Sequence, residues 1–202
     1  MLAVAYASEQ LTSSSVTRLE HEYALREILN PEWAAVPVSL AHEEGRSTLQ
    51  LTDPGGQALG DMVGRPWDPE RFLRAAIGMS LALGQVHANG LIHKNIKPEH
   101  VLVDLASGQA WLTGFGIASR LARERQAPDP PETIAGTLAY MAPEQTGRMN
   151  RSVDTRSDLY SLGVTFYQML TGTLPFTATD PMELVHCHIA RPPVPPCELA
   201  GG

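Results

Sequence analysis

The chain has almost no lysine: Lys94 and Lys97 are the only two among its 202 residues. Lysine and arginine together number 15 against 22 acidic residues, which gives a formal net charge of −7 at pH 7. Nucleic acids and anionic membrane surfaces attract basic proteins, so this balance argues against either as the main partner. The two lysines lie close together, which directs attention to the stretch that contains them.

Cysteine and long apolar runs are scarce as well. Cys187 and Cys197 are the only two thiols, and the apolar start, Met1 to Ala7, is short and has no basic leader. We therefore expect a cytoplasmic protein with two free thiols, with a disulfide between them as the alternative. No apolar run approaches the roughly 20 residues of a membrane-spanning helix, so no membrane insertion is expected.

The two lysines belong to the stretch Leu91 to Gly116, which reads LIHKNIKPEHVLVDLASGQAWLTGFG. Its alternating apolar residues predict two strands, His100 to Asp104 and Gln109 to Thr113, joined by a turn at Ser107-Gly108. Such a hairpin places polar groups of the two flanking loops on facing sides of a cleft. On one side are His93, Asn95, Lys97 and His100, and on the other is Gly114-Phe115-Gly116. This arrangement predicts a functional site.

Four segments of the chain occur in an order that is typical of one enzyme family. They are His93 to His100 (HKNIKPEH), Gly114 to Gly116 (GFG), Ala142 to Glu144 (APE) and Asp158 to Gly163 (DLYSLG). They resemble the catalytic loop, the metal-binding tripeptide, the end of the activation segment and the start of the large buried helix of protein kinases. The run Gly136 to Ser152, GTLAYMAPEQTGRMNRS, is similar to the serine/threonine-kinase-like domains at the front of large bacterial hybrid signalling proteins of the ATPase/sensor histidine kinase type.

The resemblance implies an α+β, protein-kinase-like two-lobed fold, with a truncated N-lobe sheet and a helical C-lobe that lacks its last helices. Residues 1–56 then correspond to a partial N-lobe and hinge, residues 57–190 to the C-lobe, and residues 191–202 to a linker or truncated tail. The apolar pattern predicts a long helix over residues 69–89. We expect its apolar face to consist of Phe72, Leu73, Ile77, Leu81 and Leu83.

Three polar positions of the resemblance differ from those of an active kinase. Asn95 stands where the catalytic base is an aspartate, and His100 and Gly114 stand at the two metal-ligand positions. An amide does not accept a proton at neutral pH, and magnesium prefers oxygen ligands, which neither His100 nor Gly114 supplies from its side chain. The resemblance implies ATP and Mg²⁺ as cofactors, whereas these substitutions argue against both.

Other residues of the motifs have roles that the resemblance implies. Lys97 matches a loop lysine that contacts the transferred phosphate, although it can equally anchor the loop or bind another anion. His93 and Phe115 are expected to pack structurally, and Glu144 ends the activation segment. Asp158 is expected to be buried and to accept backbone N–H bonds from the catalytic loop.

The first part of the chain and the activation segment supply the remaining site residues. Glu22 stands at the position of a helix glutamate that pairs with a strand lysine, but the strand Leu2 to Ala7 has no lysine. Its alternative is an ordinary surface acid. Asp53 and Pro54 lie in the expected hinge, where Pro54 has no N–H to offer an adenine ring. Thr133 and Thr137 are the activation-segment hydroxyls, and for Thr137 a structural role is favoured over phosphorylation.

Three hypotheses for function follow. The first is a pseudokinase module with weak or no phosphoryl transfer, which regulates or docks other domains or proteins of a bacterial signalling system. The second is an active ATP-dependent serine/threonine protein kinase with displaced metal ligands. The third is a fragment with no autonomous function.

Overall fold

The structure is a computed structural model, which describes residues 1–5, 13–43, 46–120, 138–149 and 151–199. It combines a small antiparallel sheet and one helix at the start of the chain with a mainly helical part that follows. The predicted α+β class is therefore confirmed. No helix among the described residues has both the length and the apolar character that crossing a membrane requires.

The first sheet consists of three antiparallel strands in the order β1-β3-β2. Their bounds are Leu2–Ala5 (β1), Pro37–Glu43 (β2) and Arg46–Leu51 (β3), and helix α1 spans Ser13–Ala24 between β1 and β2. Leu19 of α1 is buried against Leu49 and Leu51 of β3, whose alternate residues face the helix. This packing positions the residue that lies next to the site, Glu22.

The hairpin predicted from the sequence is present. Its strands are Val101–Val103 (β6) and Ala110–Leu112 (β7), which are shorter than predicted, and a short strand, Gln57–Ala58 (β4), pairs with β6. Two further short strands are Leu91–Ile92 (β5), which precedes the hairpin in the chain, and Ser119–Arg120 (β8), which follows it. They pair with each other in an antiparallel arrangement. The stretch from β5 to β8 thus forms one compact unit that carries both loops of the site.

In the described residues after the first sheet there are four α-helices. They are Pro69–Ala88 (α2), Thr155–Thr171 (α3), Pro181–Ala190 (α4) and Pro196–Leu199 (α5). An aspartate caps the N-terminus of each of the first three, because Asp68, Asp154 and Asp180 accept a backbone N–H bond from the first turn. Helix α5 lies in the segment that the sequence assigned to a linker or truncated tail.

The buried face of α2 differs from the prediction. Leu73, Ile77 and Leu81 are 56%, 60% and 66% exposed, whereas the main core contains the smaller face formed by Ala75, Ala76, Met79, Ala82, Leu83 and Val86. The reason is the close approach of α2 to the β6–β7 turn, where a Cβ at Gly78 would overlap the carbonyl oxygen of Gly108. This contact sets the rotation of the helix, so Met79 and Leu83 are buried and Leu73, Ile77 and Leu81 lie on the other face.

Candidate functional site

Asp158 at the start of α3 anchors the loop that follows β5. It is fully buried, and its two carboxylate oxygens accept the backbone N–H groups of His93 at 2.8 Å and Lys94 at 2.7 Å. The Nε2 atom of His87, at the end of α2, lies 2.9 Å from the same carboxylate. The contact expected of Asp158 is therefore present, and it joins α2, α3 and the loop at one point.

Lys94 is held in a conformation that non-glycine residues rarely adopt. Its φ of +66° lies in the left-handed region. The N–H of Lys94 is bound by Asp158, and its carbonyl oxygen accepts a bond of 2.9 Å from the Gln145 side chain, whose own oxygen accepts the Ala142 N–H. The strain is thus offset by bonds on both sides of the residue.

His93 and Phe115 form the packed floor of the site. Both are fully buried, and their ring centroids lie 4.5 Å apart. The Nε2–H of His93 donates to the carbonyl oxygen of Thr113 at 2.9 Å, and its Nδ1 accepts the Asn95 N–H at 3.2 Å. Burial lowers the pKa of His93, against the opposing attraction of Asp158, so the ring is neutral at pH 7. These contacts agree with a structural role for both residues.

His100 and Gly114 meet directly. The Nδ1–H of His100 donates to the Asn95 carbonyl oxygen at 2.8 Å, and burial lowers the pKa of His100 to about 3. A Cβ atom on Gly114 would lie 2.7 to 2.8 Å from three atoms of the neutral imidazole, and Gly114 has a φ of +77°. The ring of His100 therefore occupies the space that a side chain at position 114 needs.

Glu22 reaches the same point from α1. It is 4% exposed, and its Oε1 accepts the backbone N–H of Gly114 at 3.0 Å. Burial raises the pKa of Glu22, and the backbone N–H groups of Phe115 and Gly114 partly counter this. The alternative of an ordinary surface acid is wrong. Glu22 is buried because Leu19, one helical turn earlier, places this face of α1 against the core.

Asn95 and Lys97 lie on the open side of the loop. Both are partly exposed, but the Oδ1 atom of Asn95 is buried and has no hydrogen-bond partner within the described part of the chain. The Lys97 ammonium pairs with no carboxylate among the described residues, and its charge contributes to the lowered pKa of His100. A cation and an amide group lie on this side of the loop, whereas the Glu22 carboxylate at the Gly114 N–H is not paired with Lys97 in the described part of the chain.

The groups present do not fit the magnesium ions that the resemblance implies. Of the two ligand positions, Gly114 has no side chain and His100 offers one nitrogen, whereas magnesium takes oxygen ligands in octahedral geometry. The described residues contain no group of three or more His, Cys, Asp or Glu side chains able to hold a metal ion. Asp104, an acid at the end of β6, instead accepts the Ser107 hydroxyl and the Ala106 N–H in the hairpin turn.

The other predicted site residues are spread over three places. In the expected hinge, Asp53 is exposed and accepts the Gly55 N–H at 3.0 Å, and Pro54 is half-buried. Glu144 accepts the Ser157 hydroxyl at 2.6 Å, which ties the end of the activation segment to α3. Thr133 and Thr137 lie outside the described residues. Neither Asp53 nor Glu144 makes a hydrogen bond with His100 or Gly114 in the described part of the chain.

Three further residues hold the site together and were missed at the level of sequence. Gln145 bonds to Lys94, His87 bonds to Asp158, and the Nε2 atom of His21 in α1 lies 2.6 Å from the carbonyl oxygen of Ala118. A signal existed for Gln145, which directly follows the Ala-Pro-Glu motif. No spacing pattern indicates His21 or His87, because their partners are 97 and 71 residues away.

Comparison with known proteins agrees with this geometry. The family model "Protein kinase domain" matches residues 52–193. The chain therefore belongs to the protein kinase family, as the motifs of the loop, the tripeptide and α3 indicated.

Its relatives include bacterial serine/threonine kinases. The chain is 35% identical to serine/threonine-protein kinase PknB of Mycobacterium tuberculosis over 131 residues, which cover 65% of this chain and 20% of that protein. It is 38% identical to serine/threonine-protein kinase Pkn1 of Myxococcus xanthus over 147 residues, which cover 71% of this chain and 21% of that protein. The chain thus spans about a fifth of the length of the curated relatives it matches.

Proposed function

We propose that this kinase-like domain is a pseudokinase: a regulatory or docking module of bacterial signal transduction with weak or no phosphoryl transfer. The observation that carries the proposal is the contact between His100 and Gly114. The imidazole fills the space of the missing side chain, and the residue at position 114 is a glycine in a left-handed conformation. The two ligand positions are thus packed against each other.

The chemistry of the loop supports the same conclusion. Asn95 at the base position cannot take a proton from a hydroxyl, and loss of a general base typically lowers a rate by a factor of about 10² to 10⁴. Phosphoryl transfer depends on positioned cations more than on covalent chemistry, and Lys97 is the one lysine that remains at a family position. The retained anchors, Asp158 and Glu144, support the fold without requiring catalysis.

The proposal also covers the larger protein to which the domain belongs, its partners and its location. The run Gly136 to Ser152 supports a place in a large hybrid signalling protein, with other domains or proteins of that system as partners, and a cytoplasmic location. Residues 1–56 and 57–190 are proposed as the two lobes, with residues 191–202 as a connection. The hinge at Asp53 and Pro54 then separates them, and Thr133 and Thr137 belong to the activation segment.

The direct test is phosphoryl transfer by the purified chain. With labelled ATP, magnesium and a general acceptor protein, we expect no more labelled phosphate on the acceptor than in a no-enzyme control. We also expect no labelled phosphate on the chain itself. In a thermal unfolding assay, magnesium is expected to add nothing to any shift that ATP alone produces, because neither His100 nor Gly114 supplies a side-chain oxygen at the ligand positions to hold the ion.

Lys97→Ala is the matched control for that assay. A phosphoryl transfer that the wild-type chain performs and that Lys97→Ala abolishes would overturn the proposal and establish an active serine/threonine kinase. A transfer that survives Lys97→Ala unchanged indicates a contaminating kinase, because the family resemblance assigns the loop contact with the transferred phosphate to Lys97.

A further inference from the structure

Helix α4 belongs to a small apolar cluster that is separate from the main core. The buried members of this cluster are Leu138, Met141, Phe176, Leu184, Val185 and Cys187. The last three lie on α4, whereas Met141 directly precedes the Ala-Pro-Glu motif. The position of α4 therefore decides whether the apolar surface before this motif is covered.

One polar ring, that of His188 in the last turn of α4, lies within this contact. It is 7% exposed. Its ring centroid lies 5.2 Å from that of Phe176 and 5.8 Å from that of Tyr160 in α3, both in edge contact. Its Nδ1 atom is 2.7 Å from the Tyr160 hydroxyl oxygen. His188 thus joins α4 to α3 by one hydrogen bond and packs against two aromatic rings.

The second ring nitrogen of His188 has no such partner. Its Nε2 atom is buried and makes no hydrogen bond within the described part of the chain. Protonation would add a second N–H and a positive charge to this buried ring, and a buried charge is costly unless it is paired. Burial lowers the pKa of His188, and the nearby Leu138 backbone partly opposes this. The packed arrangement therefore favours the neutral ring.

The titratable groups of the elements around the ring do not supply a counter-charge. Burial and the charge of Glu144 raise the pKa of Tyr160 to about 12, so its hydroxyl is neutral. Glu144 and Asp158 accept hydrogen bonds from other residues, and Tyr140 donates its hydroxyl to Gln168. The segment that carries Phe176, residues 173–179, has no titratable side chain. No ion pair found among the described residues includes this imidazole.

The other titratable groups of this part of the chain lie on α4 itself or at its end. Glu183, His186 and Arg191 are exposed, and Cys187 is 5% exposed. His186 is therefore a second imidazole on the same helix that differs from His188 in being open to water. Cys187, next to His188, is a buried thiol whose accessibility depends on where α4 lies.

We propose that His188 is a pH-sensitive latch: the neutral ring holds α4 against α3 and residues 138–141, and protonation releases the helix while the rest of the domain stays folded. In the released helix the ring is exposed and binds the proton more readily. The latch is therefore closed above pH 6.5, the ordinary pKa of the group, and weakens as the pH falls below it. Release uncovers the apolar surface before the Ala-Pro-Glu motif, whether or not the domain transfers phosphate.

The reactivity of Cys187 measures the position of α4 in the whole chain. Cys197→Ser removes the only other thiol, and the rate at which a dithiodipyridine reagent modifies this parent is measured between about pH 7.5 and pH 5.5. Each rate is divided by that of the same chain unfolded in urea at the same pH, which cancels the titration of the thiol. We expect the relative rate to rise about tenfold over this range, because an exposed imidazole one unit below its ordinary pKa is about tenfold more often protonated than neutral.

Two variants of this parent separate the latch from other effects of acid. His188→Gln does not titrate and keeps an oxygen that can accept the Tyr160 hydroxyl, so its relative rate should change by less than about twofold over the same range. His186→Gln removes the exposed imidazole of the same helix and should keep the tenfold rise. All other histidines titrate equally in the parent and in His188→Gln.

The same pH dependence in the parent and in His188→Gln would overturn the latch, as would loss of the rise in His186→Gln. Urea unfolding at each pH gives the population of the globally unfolded chain. A rise in Cys187 reactivity that this population fully accounts for also contradicts release of α4 alone. If His188→Gln does not fold, an NMR titration of the His188 ring in the wild-type chain decides, because a pKa of 6.5 or higher refutes the latch.

Discussion

The two ends of the catalytic-like loop differ in what has been kept. At one end, the buried carboxylate of Asp158 accepts two backbone N–H groups at 2.7 and 2.8 Å, as a kinase-like loop requires. At the other end, His100 and Gly114, at the two positions where the family resemblance implies metal ligands, make a packing contact. The difference teaches that the shape of the loop and its chemistry depend on different residues. Asp158 holds the loop through backbone N–H groups, so the fold of the loop does not depend on the side chains at positions 100 and 114.

Removal of the anchor is expected to have the largest effect. Asp158→Ala leaves the N–H groups of His93 and Lys94 buried without acceptors and removes the partner of His87. We expect the free energy of unfolding, measured in urea, to fall by about 3–5 kcal/mol. Asp158→Asn keeps one carbonyl oxygen at this place and should cost clearly less. A loss below about 1 kcal/mol for the alanine variant would show that the loop does not depend on this anchor.

A side chain at position 114 is expected to be the next most costly change. Gly114→Ala adds a Cβ that overlaps the His100 ring at a φ of +77°, and we expect it to lower the free energy of unfolding by about 3 kcal/mol. Gly90→Ala is the matched control, because Gly90 has a φ of +73° but no atom within 4 Å of an added Cβ. It should cost only about 1 kcal/mol.

The same contact gives a double-mutant test. In a His100→Ala background the overlap disappears, so Gly114→Ala should become cheaper by at least about 1 kcal/mol. If the changes in the free energy of unfolding were strictly additive, the imidazole and a side chain at position 114 would not compete for space. The packing contact that distinguishes positions 100 and 114 from the Asp158 anchor would then be contradicted.

The neutral His100 predicts a loss of stability in acid. Its pKa is 6.5 when exposed and about 3 in the folded chain, so between these values the unfolded chain binds the extra proton. Stability therefore falls as the pH drops below 6.5, by about 2 kcal/mol near pH 5 for this residue. Urea unfolding of wild type and His100→Asn at several pH values isolates the effect, since His93 and Glu22 titrate in both. Parallel pH profiles of the two proteins would contradict the burial of a neutral imidazole.

Lys97→Ala is expected to have the smallest effect. Lys97 is partly exposed on the open side of the loop and pairs with no carboxylate among the described residues. We expect the free energy of unfolding to change by less than about 0.5 kcal/mol. A loss of about 2 kcal/mol or more would mean that Lys97 anchors the loop, the role considered for it from sequence.

Much of the site was predictable from sequence because it depends on local order. The hairpin, its turn and the two loops follow from alternation and turn residues, and Asp158 could be placed by its motif. The predicted apolar face of α2 was wrong at Leu73, Ile77 and Leu81 and right at Leu83. Apolar periodicity does not reveal how closely Gly78 approaches Gly108. The sequence left two roles open for Glu22, a site residue and a surface acid. Its partner is a backbone N–H 92 residues away, and a backbone group leaves no residue-type signal in a sequence.

The sequence by itself determined the family, the α+β class and the residues that stand at the motif positions, such as Asn95, His100 and Gly114. Only the tertiary structure decided how those residues meet. That His100 fills the place of a side chain at Gly114, and that Glu22 and His21 hold the backbone of the following residues, are facts of space and hydrogen bonding between distant segments. Such contacts arise when the chain closes on itself, so no local pattern encodes them.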